Sequence, residues 1–236
     1  MSKLIRLLRR LVRREGSPLF HLTDSGYLQS YAEYIDQRVL WNPKEAVGGM
    51  WDEIGALQFQ FLKSQGLKPH HQLLDIGCGT LRGGQHFIDY LNKDNYAGFD
   101  ISSEAISYSQ VFVGQMFVDK NPLLFHSMKG LQSPELEGMK FDYILAQSVF
   151  THVGPQLIEE YIAEVRNYLT DTGRFYFTYD ESNVLEIQRE VDFLYPFEFF
   201  ESIATKYGFQ LIDCRNEYEH PRNQIMVCFT CLPDTF

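Results

Sequence analysis

The sequence predicts an α/β fold: a doubly wound, mostly parallel sheet of seven strands with an antiparallel last strand and an N-terminal helical extension. Three observations support this prediction. Short apolar runs alternate with helical segments from residue 72 onward, and a glycine turn follows the first run. The last two runs are separated only by a polar stretch containing Pro221, so we expect them to form a hairpin. The chain of 236 residues is long enough to bury the core of one such domain.

The individual elements follow from the spacing of apolar and turn residues. The predicted strands span residues 72–76, 95–100, 122–127, 141–147, 174–179, 209–214 and 224–231. The predicted helices span residues 83–92, 103–117, 156–169 and 196–206. Residues 181–195 show neither pattern and are predicted to be a long connection, a kind of segment that often contacts substrates.

The N-terminal part of the chain differs in character from the rest. We predict a helical extension over residues 1–49, which can act as a lid, and a cofactor-binding domain over residues 50–236. Residues 3–14 carry six basic side chains and no acidic ones, with leucines on one helical face. Such a helix binds anionic membranes, or it docks on the protein's own acidic surface. The sequence leaves both alternatives open.

A glycine turn directly after the first strand is the most informative motif. Residues 73–80 read LLDIGCGT, so an aliphatic run ends in Asp75 and is followed by Gly77 and Gly79. Glycine permits a tight turn and a close approach of the backbone to a ligand. The second strand ends in Asp100, 21 residues beyond Gly79. An acidic residue at this distance is placed to accept hydrogen bonds from a ribose diol.

The same motif indicates which nucleotide is bound. The pattern for a dinucleotide requires a third glycine where this chain has Arg82. Asp75 would repel a pyrophosphate, whereas it suits a ligand that carries an ammonium and a sulfonium group. A nicotinamide-dependent oxidoreductase therefore remains the weaker alternative. A non-catalytic binding protein that retains the cofactor motifs is the other alternative.

These residues resemble the first motif of the class I S-adenosylmethionine (SAM)-dependent methyltransferases, and FDYILAQSVFTH at residues 141–152 resembles their fourth-strand motif. The resemblance implies a Rossmann-like fold with SAM as the cofactor. The chain departs from the family at residues 123–128, which lack the acid that often meets the adenine amino group. We expect Arg82 to pair with the methionine carboxylate of SAM and Gln147 to border the methyl-transfer site. The expected cofactor-binding residues are Asp75, Gly77, Gly79, Thr80, Arg82, Asp100, Ile101 and Gln147.

His152 is the candidate catalytic residue, because an imidazole is a suitable general base at neutral pH. The alternative is a structural histidine that caps the next helix. No metal-ligand spacing is present, so no metal is expected. The net charge of −10 argues against nucleic acid as a partner. We expect a methyl acceptor that is a small molecule, a glycan or a lipid-linked compound. The oligomeric state is not predicted.

The expected location of the protein is the cytoplasm, because no apolar secretory stretch follows the basic start and the cysteine pattern suits a reducing compartment. A peripheral position at the inner membrane face is the alternative that the basic helix raises.

Overall fold

The computed structural model describes residues 25–188 and 192–232, and a nine-stranded sheet forms the centre of this part of the chain. The strands are Leu73–Ile76 (β1), Tyr96–Asp100 (β2), Leu123–His126 (β3), Phe141–Ala146 (β4), Leu169–Glu181 (β5), Glu186–Gln188 (β6), Asp192–Tyr195 (β7), Phe209–Asp213 (β8) and Ile225–Cys231 (β9). The helices are Ser25–Trp41 (α1), Pro43–Ala46 (α2), Trp51–Ser64 (α3), Gly84–Tyr90 (α4), Ser103–Phe112 (α5), Gly114–Lys120 (α6), Pro155–Val165 (α7) and Phe197–Tyr207 (α8).

The strand order confirms the predicted α/β topology. Strands β3, β2, β1, β4 and β5 lie side by side in that order and are parallel. Strand β9 then pairs with β5 in the antiparallel direction, and β8 pairs antiparallel with β9. The carboxyl ends of β1, β2 and β4 therefore lie at one edge of the sheet, where open α/β sheets bind their ligands.

Both faces of the sheet are covered, as the aliphatic composition of the strands requires. All four residues of β1 are buried. Leu74 and Ile144 pack into the core on one face of the sheet, while Leu73 and Leu145 pack into the core on the other. This alternation is what a doubly wound sheet imposes on its central strands, since successive side chains point to opposite faces.

The predicted number of seven strands was wrong, because a hairpin of β6 and β7 lies in the segment predicted to be a connection. Both strands are short and contain Glu186, Gln188 and Asp192, so they lack an alternating apolar pattern. Tertiary contacts stabilise them instead. Strand β7 pairs with the end of β5, and the buried Phe193 ring packs edge-on against Tyr27 at 6.4 Å.

Two predicted helices also have different bounds. The helix predicted over residues 103–117 is divided into α5 and α6 at Gly114, whose φ is +48°. The helix predicted over residues 156–169 ends at Val165, and β5 begins at Leu169, earlier than predicted.

The N-terminal extension is helical where it is described, and it is attached to the sheet edge. On α1, the carboxylate of Asp36 accepts hydrogen bonds from the Ser102 hydroxyl at 2.6 Å and from the backbone N–H of Glu104 at 3.1 Å. The basic stretch at residues 3–14 lies outside the described residues. Among the helices that are described, none is both long enough and apolar enough to span a bilayer.

Candidate functional site

A cavity of about 980 Å³ opens at the carboxyl edge of the sheet. Its floor is formed by the turns after β1, β2 and β4, and its roof is formed by α1 and the loop that follows α2. This volume lies at the upper end of the range for small-molecule and cofactor sites, so a nucleotide-sized cofactor and a second ligand can share it.

The glycine turn is required by backbone geometry and by packing. Gly77 and Gly79 have φ values of +66° and +54°, in the left-handed region that favours glycine. A Cβ atom on Gly77 would lie 2.6 Å from Cγ2 of Val149, and one on Gly79 would lie 2.6 Å from Cγ1 of Val47. Side chains from the fourth-strand motif and from the N-terminal extension thus pack directly against the turn.

Asp100 joins the glycine turn to the end of β2. Its Oδ2 atom accepts a hydrogen bond from the Gly79 N–H at 2.9 Å, and its Oδ1 atom accepts one from the Ser102 N–H at 2.8 Å. Burial raises the pKa of this carboxyl, while the two backbone hydrogen bonds act in the opposite direction. Each carboxylate oxygen has a further lone pair, so Asp100 can still accept from a ligand hydroxyl. Ile101 follows it in the cavity wall.

Asp75 is a buried carboxyl group at the floor of the cavity, with only 5% of its surface exposed. The Tyr96 hydroxyl donates to its Oδ2 atom at 2.7 Å. Burial raises the pKa of Asp75 to about 7, although the hydrogen bond from Tyr96 and the positive charge of Arg82 both lower it. A cationic ligand group placed here would stabilise the ionised form.

Arg82 fastens the roof of the cavity to its floor. Its Nη1 atom donates to the carbonyl oxygens of Val47 at 2.8 Å and Gly49 at 3.2 Å, and Arg222 donates to the carbonyl of Gly48 between them. We call residues 47–49 the strap. The Nε atom of Arg82 is buried and has no hydrogen-bond partner among the described residues. Burial lowers the pKa of Arg82 to about 10.

A network of polar side chains forms the wall behind β4. The amide nitrogen of Gln147 donates to Gln224 Oε1 at 3.1 Å and to Thr178 Oγ1 at 3.2 Å, and the Tyr218 hydroxyl donates to the amide oxygen at 2.6 Å. The orientation of the Gln147 side chain is therefore set by β5 and by the segment between β8 and β9.

His152 lies on a short 3-10 turn after β4, beside residues that the sequence analysis did not identify. Its Nδ1 atom is 3.2 Å from Oδ1 of Asp192, the first residue of β7. The Tyr31 ring lies 5.4 Å from the imidazole, centroid to centroid, and the Tyr27 hydroxyl donates to the His152 carbonyl at 2.9 Å. Burial raises the pKa of both phenols, so both tyrosines are neutral near pH 7.

Residues 74–175 match the family model described as a methyltransferase domain. Over these residues the chain is similar to the class I SAM-dependent methyltransferases. SAM is the methyl donor of this class.

Solved structures share the fold. The DhpI complex with S-adenosylhomocysteine (SAH) has a TM-score of 0.65 at 14% identity, over 89% of this chain and 100% of that one. A magnesium protoporphyrin IX methyltransferase from Synechocystis has a TM-score of 0.59 at 12% identity, over 98% and 99%. The glycopeptide N-methyltransferase MtfA has a TM-score of 0.60 at 11% identity, over 75% and 94%. At these identities the likeness establishes the fold alone.

Most of the residues predicted for the methyltransferase site lie around the one cavity. Those that line it are Asp75, Gly77, Gly79, Arg82, Asp100, Ile101, Gln147 and His152. Thr80 lies outside the lining, because its side chain is fully buried and its hydroxyl donates to the Pro43 carbonyl at 2.9 Å. The sequence reasoning did not single out the lining residues Tyr31 and Asp192, which come from the extension and the β6–β7 hairpin; Arg222 and Gln224, on the approach to β9, line the cavity as well.

Proposed function

We propose that this methyltransferase moves the methyl group of SAM to an oxygen or nitrogen atom of a small-molecule, glycan or lipid-linked acceptor. The observation that carries the proposal is the shared cavity, in which His152 faces the same space as Asp75 and Asp100. A methyl donor held at the glycine turn would then lie within reach of a basic side chain. The acceptors named for two structures of similar fold, magnesium protoporphyrin IX and a glycopeptide, support a non-polymeric acceptor.

Different parts of the cavity match different groups of SAM. Asp75 suits the ammonium of the methionine moiety, because an added cation would offset the cost of its buried charge. Asp100 suits the ribose diol through its remaining lone pairs. Arg82 suits the methionine carboxylate, since its buried Nε–H needs an acceptor.

The other expected cofactor contacts involve the backbone and the walls. Gly77 and Gly79 leave room for close approach of the ligand, and Ile101 offers an apolar surface to the adenine. Gln147 borders the methyl-transfer site with its amide already hydrogen bonded. Because the Thr80 hydroxyl is used within the protein, we assign any cofactor contact of Thr80 to its backbone.

Bound SAM would supply a methyl group attached to a sulfonium sulfur. The sulfur is the leaving group of the in-line displacement and departs as a neutral thioether. The protein must hold the acceptor atom about 3 Å from that methyl and in line with the sulfur. A hydroxyl or a protonated amine must also lose its proton, and we assign that step to His152. The imidazole is 31% exposed, so it can pass the proton on to solvent.

Two measurements test the proposal. Calorimetric titration with SAM and SAH should show binding of both, and absence of binding would refute it. Fractions of a cell extract should then be incubated with the protein and methyl-labelled SAM. Transfer of label into a low-molecular-weight or lipid fraction supports the enzyme, whereas cofactor binding without transfer into any fraction supports a non-catalytic binding protein. Label in nucleic acid or protein would overturn the acceptor class.

We also propose that the basic helix predicted at residues 3–14 brings the enzyme to the cytoplasmic face of the membrane. The proposal rests on the charge and spacing of these residues in the sequence. It is compatible with a lipid-linked acceptor, and vesicle flotation tests it as described in the Discussion.

A further inference from the structure

The acceptor end of the cavity is shaped by the β6–β7 hairpin. Strand β7 is fixed at two points: the Tyr195 hydroxyl donates to the Val153 carbonyl in the segment after β4, and the Phe193 ring packs against Tyr27 of α1, whose hydroxyl donates to the His152 carbonyl. Both Phe193 and Tyr195 are buried. Asp192, at the start of the same strand, is therefore held at a defined position next to His152.

The contact between Asp192 and His152 selects one form of the imidazole. The 3.2 Å separation joins Oδ1 of Asp192 to Nδ1 of His152. An ionised carboxylate only accepts hydrogen bonds, so a neutral imidazole in this contact carries its proton on Nδ1 and has its lone pair on Nε2. We propose that Asp192 is the positioning residue of this methyltransferase: it holds His152 in the Nδ1–H tautomer, with Nε2 ready to take a proton from the acceptor. The proposal rests on the proposed role of His152 as the base.

The groups around the imidazole support this division of roles. Among the described residues, Asp192 from β7 is a charged side chain in contact with it. The titratable groups that face it from α1 are Tyr27 and Tyr31, and both are neutral near pH 7 because burial raises the pKa of each phenol. The Tyr31 ring, inclined by 33° to the imidazole, limits how far His152 can rotate. The carboxylate of Asp192, 3.2 Å from Nδ1, is thus placed to set the position of the proton.

The expected loss of turnover in Asp192→Asn follows from the solvent exposure of the two side chains. In a buried catalytic triad the corresponding change of aspartate to asparagine lowers kcat by about 10⁴-fold. Here the side chains of His152 and Asp192 are 31% and 22% exposed, so water competes for both partners. We therefore expect Asp192→Asn to lower turnover by roughly 10- to 100-fold, less than in the buried case. Asp192→Glu should restore part of the loss, because it restores a carboxylate acceptor.

The tautomer can be measured without knowing the acceptor. We would label the histidines with ¹⁵N, saturate the full-length protein with SAH, and record the ring nitrogen shifts near pH 8.5, using His152→Gln for assignment. The wild type should show His152 as Nδ1–H, and Asp192→Asn should move it towards Nε2–H. Glu186→Gln on β6 is the matched control, because it also neutralises a carboxylate of the hairpin but lies outside the cavity lining. An Nε2–H form in the wild type, or no change in Asp192→Asn, would overturn the proposal.

Measurements of turnover in variants of Asp192 and His152 then distinguish the positioning role of Asp192 from the role of His152 as the base. The assay follows labelled methyl transfer from SAM into the methyl-accepting extract fraction. We expect Asp192→Asn to lower kcat with SAH affinity unchanged within twofold, and to add no further loss to His152→Ala. Normal kcat in Asp192→Asn, or a rise in the acceptor KM alone, would refute the positioning role while leaving the base in place. Normal turnover in His152→Ala would refute the base, and the ¹⁵N measurement would still decide whether Asp192 sets the tautomer.

Discussion

Binding of the cofactor should release a proton from Asp75 at mildly acidic pH. The carboxyl is buried with a pKa of about 7, raised chiefly by burial. It is therefore about nine-tenths protonated at pH 6 and about one-tenth protonated at pH 8. If the ammonium of SAH lies against Asp75, the complex favours the carboxylate, so binding should release about 0.9 proton at pH 6 and about 0.1 at pH 8.

The assay is calorimetry with SAH in pairs of buffers that differ in their enthalpy of ionisation. The dependence of the observed enthalpy on the buffer enthalpy gives the number of protons released. Affinity should also weaken as the pH falls below 7, towards a tenfold loss per pH unit, because the ligand must displace a proton. Asp75→Asn is the control: it should bind more weakly and release no proton. Release of almost no proton by the wild type at pH 6, or release of the same number of protons by Asp75→Asn, would refute the assignment of Asp75 to the ammonium.

The raised pKa of Asp75 also sets the sign of a stability effect in the ligand-free protein. The folded state binds this proton more tightly than the unfolded state, whose carboxyl titrates near 3.8. The protonated carboxyl of Asp75 therefore makes its full contribution to folding stability below pH 3.8, and this contribution is lost as the pH rises through 7. The thermal midpoint of the ligand-free wild type should fall more steeply from pH 5 to pH 8 than that of Asp75→Asn. Equal pH dependence in the two proteins would argue against a raised pKa.

Four further perturbations test the other parts of the site. Asp100→Asn should weaken SAH binding at least tenfold and lower the thermal midpoint, because hydrogen bonds to a charged group contribute roughly 1.5–3 kcal/mol each; unchanged affinity in calorimetry would reject the ribose contact. His152→Ala should reduce label transfer by roughly 10²-fold at unchanged SAH affinity, and near-normal transfer would make the histidine structural. Gly79→Ala should weaken SAH binding because its Cβ would meet Val47 at 2.6 Å; adding Val47→Ala should recover part of the loss, and no recovery would show that backbone strain dominates. Deleting residues 1–14 should abolish salt-sensitive flotation with anionic vesicles while leaving SAH binding intact, and equal flotation of both forms would dismiss the membrane role.

The local motifs could be predicted because their chemistry is contiguous in sequence. The run ending in Asp75 is aliphatic because β1 is buried on both faces, and Gly77 and Gly79 are glycines because the turn needs positive φ. Asp100 is one strand further on, and parallel neighbours end at the same edge. The hydrogen bond from Gly79 to Asp100 at 2.9 Å is the direct result of that geometry.

Sequence reasoning could not recover contacts between distant segments. It expected the side chain of Arg82 to meet the cofactor, yet the structure also uses Arg82 to bind the strap. It predicted a connection where the β6–β7 hairpin lies, so it missed Asp192. A strand of three or four residues is too short to carry a periodic signal, and β7 is a strand because it pairs with β5 and β6 and packs on Tyr27.

The sequence by itself determined the class of fold, the edge of the sheet at which the cavity opens and the glycine-turn motif, because each depends on residues that are neighbours in the chain or in adjacent strands. The tertiary structure alone decided which side chains meet across the cavity. Asp192 reaches His152 from 40 positions along the chain, and Arg222 reaches Gly48 from 174. Such contacts depend on how loops and helices fold back over the sheet, and the local spacing of residues in the sequence does not predict this.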